Sequence, residues 1–180
     1  MITARVLPSG CVLRLVETTD AEAMATAYER NRSYLEPWDP LRPEGFFTTA
    51  WHATEIPRQL AEYAAGDLLP LVLASDAEII GRVTVSGVTR GAFLSGRLGY
   101  WIDERAAGQG IMSAAVRAVR EIARDDFGLH RLEAGTLLHN RASQRVLENA
   151  GFERIGVAPL YLCIAGRWQD HMLYQTILRS

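Results

Sequence analysis

LGYWIDERAAGQGIMSAAVRAVREIAR, residues 98–124, passes from an alternating apolar segment, through a loop holding two glycines, into an amphipathic segment. Leu98, Tyr100 and Ile102 fall in phase at the period of a strand. Ile111, Ala115, Val119, Ile122 and Ala123 recur on one stripe, at the period of a helix packed on a sheet. The junction between them, RAAGQG (105–110), admits two readings. Gly108 and Gly110 permit a tight strand-to-helix turn, or they clear the backbone so that a ligand can approach. A helix N-terminus leaves its first N–H groups without partners and carries partial positive charge. It is therefore a site for an anion such as a pyrophosphate. No acid occurs between Gln109 and Arg120, while Arg117 and Arg120 lie along the helix. An acid in the first turn ordinarily stabilises a helix by about 0.3–1 kcal/mol, so its absence suits a helix that receives phosphate. Taken alone, the glycine pair supports either reading.

Outward from this junction, strands and helices are mixed. LRLVE (13–17) predicts a strand, and TTDAEAMATAYERN a helix opened by a capping box of Thr19 and Glu22. SYLEPWDPLRPEGFF predicts an irregular connection with one helical turn. TTAWHATEIPRQLAEYAAG predicts a helix kinked or divided at Pro57 and closed by Gly66. LPLVLAS (69–75) is continuously apolar, like a strand buried on both faces. EIIGRVTVSGV (78–88) and AFLSGRLGYWID (92–103) alternate and complete a meander of three strands. RLEAGTLL (131–138) predicts a strand, NRASQRVLENAGF a helix ending at Gly151, and segments near 155–164 and 170–178 two closing strands around the turn AGRW.

No repeat or low-complexity linker interrupts this order, so residues 1–180 are expected to form one domain. Its class is α/β (α+β mixed), with a mostly antiparallel sheet of six to seven strands flanked by helices. The strand–helix–strand unit over 92–138 predicts a right-handed parallel crossover, and ligands of such sheets sit at the carboxyl ends of the strands. RAAGQG lies there.

Composition narrows the chemistry. Apolar residues make up 48% and charged residues 22%, with a net charge of −2, which argues against a chain whose main role is coating nucleic acid. Every basic residue is arginine, so Schiff-base chemistry and a P-loop lysine both drop out. Cys11 and Cys163 provide neither a disulfide framework nor metal-ligand spacing. No leader-like start and no run of 18 apolar residues occurs, and a cytoplasmic protein without membrane contact is expected. A dinucleotide fingerprint fails, because Ser113 stands where its third glycine belongs and no acid follows for a ribose.

The loop R-x-x-G-x-G after a strand and before an amphipathic helix resembles the acetyl-CoA loop of the GNAT N-acetyltransferases. LLHNRASQRVLENAGF (137–152) resembles that family's second signature, N-x-x-S-x-x-v-l-e-x-x-G-F. LRLVETTDAEAMA, RNRSYLEPWDP and GRWQDHMLYQTIL are similar to the RimJ/RimL-like, ribosomal-protein branch, so the resemblance spans nearly the whole chain. It implies direct transfer of an acetyl group from acetyl-CoA to a primary amine, with CoA as product and no acyl-enzyme. It also implies that LGYWID and RLEAGTLL splay apart, with the backbone of Tyr100, Trp101 and Ile102 facing the pantetheine. The segment Arg105, Ala106, Gly108, Gln109, Gly110, Ile111 and Met112 would hold the pyrophosphate through its amides. Asn140 would contact pantetheine or a water, Ser143 would donate to the departing thiolate, and Arg145 would reach the 3′-phosphate.

Each of these has a plainer reading alongside. Asn140 is a plausible N-cap, Ser143 an N3 residue, and Arg145 a solvated side chain. The amine needs a base or a water chain. Asp103, Glu133, His139, Asp170 and His171 are the candidates, with Glu133 the first choice because its strand should line the cleft. Tyr161 reads as a core or wall residue. Glu36, Trp38 and Trp168 are candidate acceptor walls, although aromatics in such loops also anchor packing.

Three functions remain open: acetylation of a protein N-terminal α-amine, acetylation of a small-molecule amine or antibiotic, and a non-catalytic acyl-CoA-binding regulatory role. The expected assembly is a monomer or homodimer.

Overall fold

The chain enters its sheet through β1 (Arg5–Val6) and β2 (Val12–Leu15) and turns into α1 (Ala21–Arg30) and α2 (Arg32–Leu35). After α3 (Thr49–Ala65) come β3 (Leu69–Ser75), β4 (Glu78–Thr89) and β5 (Ser95–Ile102). Then follow α4 (Ile111–Asp125), β6 (Arg131–Leu137), α5 (Arg141–Asn149), β7 (Glu153–Ile164) and β8 (Arg167–Ile177). The structure, a computed structural model, describes residues 2–179; Met1 and Ser180, the ends of the expected 1–180 domain, lie outside the described residues.

All eight strands join one sheet in the order β1-β2-β3-β4-β5-β6-β8-β7. Every pairing is antiparallel except β5 with β6, the two strands linked by α4. The mixed, mostly antiparallel sheet is as expected, with eight strands rather than six or seven. The extra strand is β1, whose two residues pair with Leu13 and Val12 and carry no periodicity to detect.

The helices cover both faces. On one side α4 lays Ala115, Val116, Val119 and Ile122 on Leu13, Leu71, Leu73, Val83, Val85 and Leu98. On the other, Met24, Tyr28 and Ile56 of α1 and α3 close over Val72, Ile79 and Trp101. β3 is covered on both faces, which is why LPLVLAS lacks alternation. Full burial of one such aliphatic side chain stabilises the fold by about 1.5–3 kcal/mol.

Two local expectations change. Asp20, not Glu22, secures the start of α1. Its carboxylate accepts from the Glu17 N–H at 2.8 Å and holds Arg14 in a bidentate pair at 2.7 Å. A short 3-10 turn, Thr18–Asp20, shifts the cap upstream of Thr19. α3 runs unbroken through Pro57; Thr48 caps its start and Gly66, with φ 83°, its end. Among the described residues no helix is long and apolar enough to cross a membrane.

Candidate active site

β5 and β6 pair only over Ser95–Arg97 and Arg131–Glu133, and then diverge. Each is held from outside: β5 by β4 as far as Gly81↔Ile102, β6 by β8 as far as Leu137↔His171. The splay opens a cleft of about 770 Å³. Its walls are Leu98–Ile102 and Ala134–Leu137, and it is bounded by the glycine loop, the start of α4, one face of α5, and Tyr34, Leu35 and Trp38.

The Asp103 amide donates to the Ile80 carbonyl at 2.7 Å, which fixes the alternation along β5. Gly99 and Trp101 therefore turn their backbone groups toward β4, while Leu98, Tyr100 and Ile102 turn theirs into the cleft. Tyr100 and Ile102 offer the expected free edge; Trp101 does not. Its indole N–H donates to the Tyr28 hydroxyl at 2.8 Å, on the α1 side of the sheet.

In the loop, the Arg105 amide donates to Asp103 Oδ1 at 2.9 Å, and those of Ala106 and Ala107 to the carbonyls of Asp103 and Glu104. The next three amides, Gly108, Gln109 and Gly110, donate to no group among the described residues. Gly108 (φ 75°) and Gly110 (φ 78°) are both left-handed, and a Cβ on either would meet nothing within 4 Å. Gly110 is the N-cap of α4, with no side-chain cap and no acid in the first turn. Ile111 and Met112 bury their side chains in the core, so only their backbone is available to a ligand. The free amides thus run from Gly108 into the first turn of α4, and an anion fits there. Arg105 and Ala106 therefore do not offer the amides expected of them, and the Arg105 guanidinium pairs with Asp103 and Glu78. Arg117 and Arg120 are also used elsewhere, donating to the carbonyls of Asn149 and Ala150 at the end of α5.

Asp103 anchors this loop. Its carboxylate has almost no exposed surface and receives hydrogen bonds from Arg105, Asn31 and Arg30. Burial alone would raise its pKa, but these donors outweigh it and hold the carboxyl well below the usual range. Asn31 also accepts from the Glu104 amide at 3.0 Å, tying the end of α1 to the loop. So deeply paired a carboxylate is not a base for the amine.

On the far wall, Asn140 caps α5 by accepting from the Ser143 N–H at 3.0 Å. The Ser143 hydroxyl lies 2.8 Å from the Tyr100 hydroxyl, which is also 3.1 Å from the Ser143 carbonyl. Burial pushes the Tyr100 hydroxyl above the ordinary phenol range, more than its bond to Ser143 brings it down, so the pair stays neutral. Buried Gln144 donates to the carbonyls of Leu137 and Leu138, fixing α5 to the end of β6. Thr136 Oγ1, also buried and on the cleft wall, has no hydrogen-bond partner among the described residues. Free strand edge, free loop amides and an orphaned hydroxyl together fit a long ligand with amide groups at one end and phosphates at the other.

Of the remaining sequence candidates, Ala106, Trp38, Asn140, Ser143 and Arg145 line the cleft. Glu133 does not: it sits where β5 and β6 still pair, 3.7 Å from Arg131, so the first-choice base lies below the opening. Gln109 turns its side chain back to the Arg105 carbonyl. Glu36 is exposed, and Trp168 is 64% exposed; neither lines the cleft. His139 is exposed against Trp38, and Asp170 accepts from the Leu160 amide. His171 is buried in the cleft wall, with Nδ1 2.9 Å from the Gln169 carbonyl. A carbonyl only accepts, so in the neutral ring Nδ1 carries the proton and Nε2 a lone pair. The Tyr100 hydroxyl escaped sequence reading because its partner, Ser143, lies 43 residues away, and Thr136 because only the parting of β5 from β6 makes its position part of a cleft.

Residues 11–153 match the family described as acetyltransferase (GNAT) domain. The chain is 35% identical over 175 residues to the [ribosomal protein uS5]-alanine N-acetyltransferase of Escherichia coli, covering 94% of this chain and 88% of that one. It is 36% identical over 167 residues to the probable N-acetyltransferase YjcK of Bacillus subtilis, covering 89% and 90%. The fold superimposes on the crystal structure of ribosomal-protein-S5-alanine acetyltransferase from Vibrio fischeri with a TM-score of 0.95, at 31% identity and 99% and 98% coverage. It matches Mycobacterium smegmatis RimJ in complex with CoA-disulfide with a TM-score of 0.90, at 31% identity and 97% and 86% coverage.

Proposed function

Because the chain belongs to the GNAT acetyltransferase family and is an acetyl-CoA-dependent N-acetyltransferase, we propose that its acceptor is a protein N-terminal α-amine of the ribosomal-protein kind. The observation that carries this is the near-complete match, in sequence and fold, to S5-alanine acetyltransferases. Bound acetyl-CoA supplies an activated acetyl thioester. The amides of Gly108–Gly110 and the first turn of α4 hold its phosphates, and the free edges of Tyr100 and Ile102 align its arm. An α-amine has a pKa near 8, so a sizeable neutral fraction exists at neutral pH. His171 Nε2 is the group in the cleft wall that takes the remaining proton. Ser143 serves the departing thiolate. The one proton of the Tyr100 hydroxyl has two acceptors, the Ser143 carbonyl and Oγ, and with it on Oγ the serine proton is free for the thiolate.

The test is thiol release, with mass spectrometry of the product, on a panel of peptides with different N-terminal residues beside polyamines and aminoglycosides. A single acetyl group on the peptide α-amine is expected, alanine-first sequences being the best. Turnover of small amines alone would overturn the acceptor assignment. CoA binding without turnover of any amine would make the chain a binder.

A further inference from the structure

On the face of the sheet opposite α4, a second cavity of about 450 Å³ lies beneath α1, α3 and the segment from Asp39 to Phe46. Its floor is β4 and β5. Arg82 pairs with Trp101, and Thr84 with Gly99, and cross-strand partners share a face. Asp39, Gly99, Tyr100 and Trp101 line both this cavity and the cleft, so β5 is a wall common to the two.

Two observations mark the floor as a place for a ligand. The first is Gly99. It lies in a paired strand outside the positive-φ glycines, and a Cβ there would meet nothing within 4 Å. Neither backbone nor packing demands glycine, and a glycine inside a strand often marks close approach by a ligand. The second is Arg82. Its Nε donates to Thr84 Oγ1 at 3.1 Å and its Nη2 to Gln59 Oε1 at 2.6 Å. Among the described residues no carboxylate pairs with it. The other arginines of the cavity are neutralised, Arg42 by Asp39 and Arg58 by Glu55 and Glu62. Arg82 therefore keeps unused donors in its planar fork. The walls are aromatic, from Tyr28, Phe46, Trp51 and Trp101.

We propose that this cavity takes the acceptor's chain beyond its amine, and that Arg82 receives a carbonyl or carboxylate oxygen carried within a few bonds of that amine. Arg82 is directly opposite Trp101, about 4.5–5.5 Å away between Cα atoms. An amine at the common wall therefore brings the next few atoms of its chain past Gly99 to the guanidinium. A peptide always has such an oxygen, in the carbonyl of its first residue. A plain alkylamine has none. Arg82 is thus a specificity residue for peptidic acceptors, an assignment that rests on the α-amine reading above.

The test compares an alanine-first peptide with propylamine on the wild type, Arg82→Met and Gly99→Val, with CoA calorimetry to show that Arg82→Met folds. Arg82→Met should raise the peptide KM about ten- to hundredfold, as expected for loss of a hydrogen bond to a charged group. The KM for acetyl-CoA and kcat/KM for propylamine should stay as in the wild type. Gly99→Val should raise the peptide KM through a filled floor; because Gly99 also borders the cleft, the folding of this variant is checked by its melting temperature and not by CoA affinity. An unchanged peptide KM in both variants, or an equal rise in the acetyl-CoA KM of Arg82→Met, overturns the proposal. A wild type that acetylates propylamine and no peptide instead refutes the α-amine reading itself, and Arg82's role with it.

Discussion

Replacing Gly110 by aspartate should separate the stability of the loop from its chemistry. Gly110 is left-handed at φ 78°, ψ −2°, a conformation that costs an L-residue roughly 1–2 kcal/mol. Relative to glycine, aspartate recovers only about a few tenths of a kcal/mol as an N-cap and some more from the helix dipole, and its Cβ enters open space. The melting temperature should therefore move by only a few degrees. Binding should suffer far more. At about 6 Å and an effective dielectric of ~20, one pair of like charges costs about 2.8 kcal/mol, or roughly a hundredfold in Kd. Gly110→Asn is the control, since it is isosteric, tolerates the same backbone and caps equally, but lacks the charge. Calorimetry with CoA at low and high salt should show Asp weaker than Asn by that factor, with the gap narrowing as salt screens it. Equal affinities for the two folded variants would refute the anion role of the loop.

Three further outcomes follow from the geometry. Ser143→Ala and Tyr100→Phe should each lower kcat while leaving the acetyl-CoA KM nearly unchanged; in a double-mutant cycle their effects should fall short of additivity, and full additivity would deny that the 2.8 Å pair acts as a unit. Asp103 titrates below the ordinary carboxylate range, so its stabilisation is complete above about pH 4 and is lost as pH falls through the folded value. Asp103→Asn, leaving Arg30 and Arg105 without an anion, should cost about 3–5 kcal/mol in urea unfolding and flatten that acid limb. His52, 2% exposed, is lowered to about 4, chiefly by burial and then by Arg82. Between about pH 6.5 and that value the unfolded chain binds a proton that the folded ring refuses, so stability should fall by about 3 kcal/mol as pH drops across the window. His52→Phe should abolish that slope in a pH series of melts, and an unaltered slope would assign it to another group.

Much of the fold was legible because its signals are local. LPLVLAS, the stripe from Ile111 to Ala123, and Gly66 and Gly151 at helix ends carry their own periodicity or backbone requirement. The failures were also local in origin. β1 is two residues long, and the cap of α1 moved to Asp20 because Arg14, across the turn, holds its carboxylate. For the site, RAAGQG and NRASQRVLENAGF pointed to segments that border the cleft, since the first turn of a helix needs only its own sequence to expose free amides or be capped.

Which residues of that cleft can act was decided by pairing across the chain. Glu133 begins a strand that ought to line the cleft, but it lies where β5 and β6 have not yet parted. Trp101 stands between two cleft residues, but strand alternation turns its backbone to β4. Arg117 and Arg120, which follow the loop in sequence, cap α5 in space. Gly99 and Arg82 became a feature only when β4 met β5. The sequence by itself determined most of the elements, the family and the glycine loop, because those depend on residues within a turn or two of one another. The tertiary structure alone decided which side chains are already paired and which remain free, because the carboxylates and carbonyls that neutralise them arrive from distant strands.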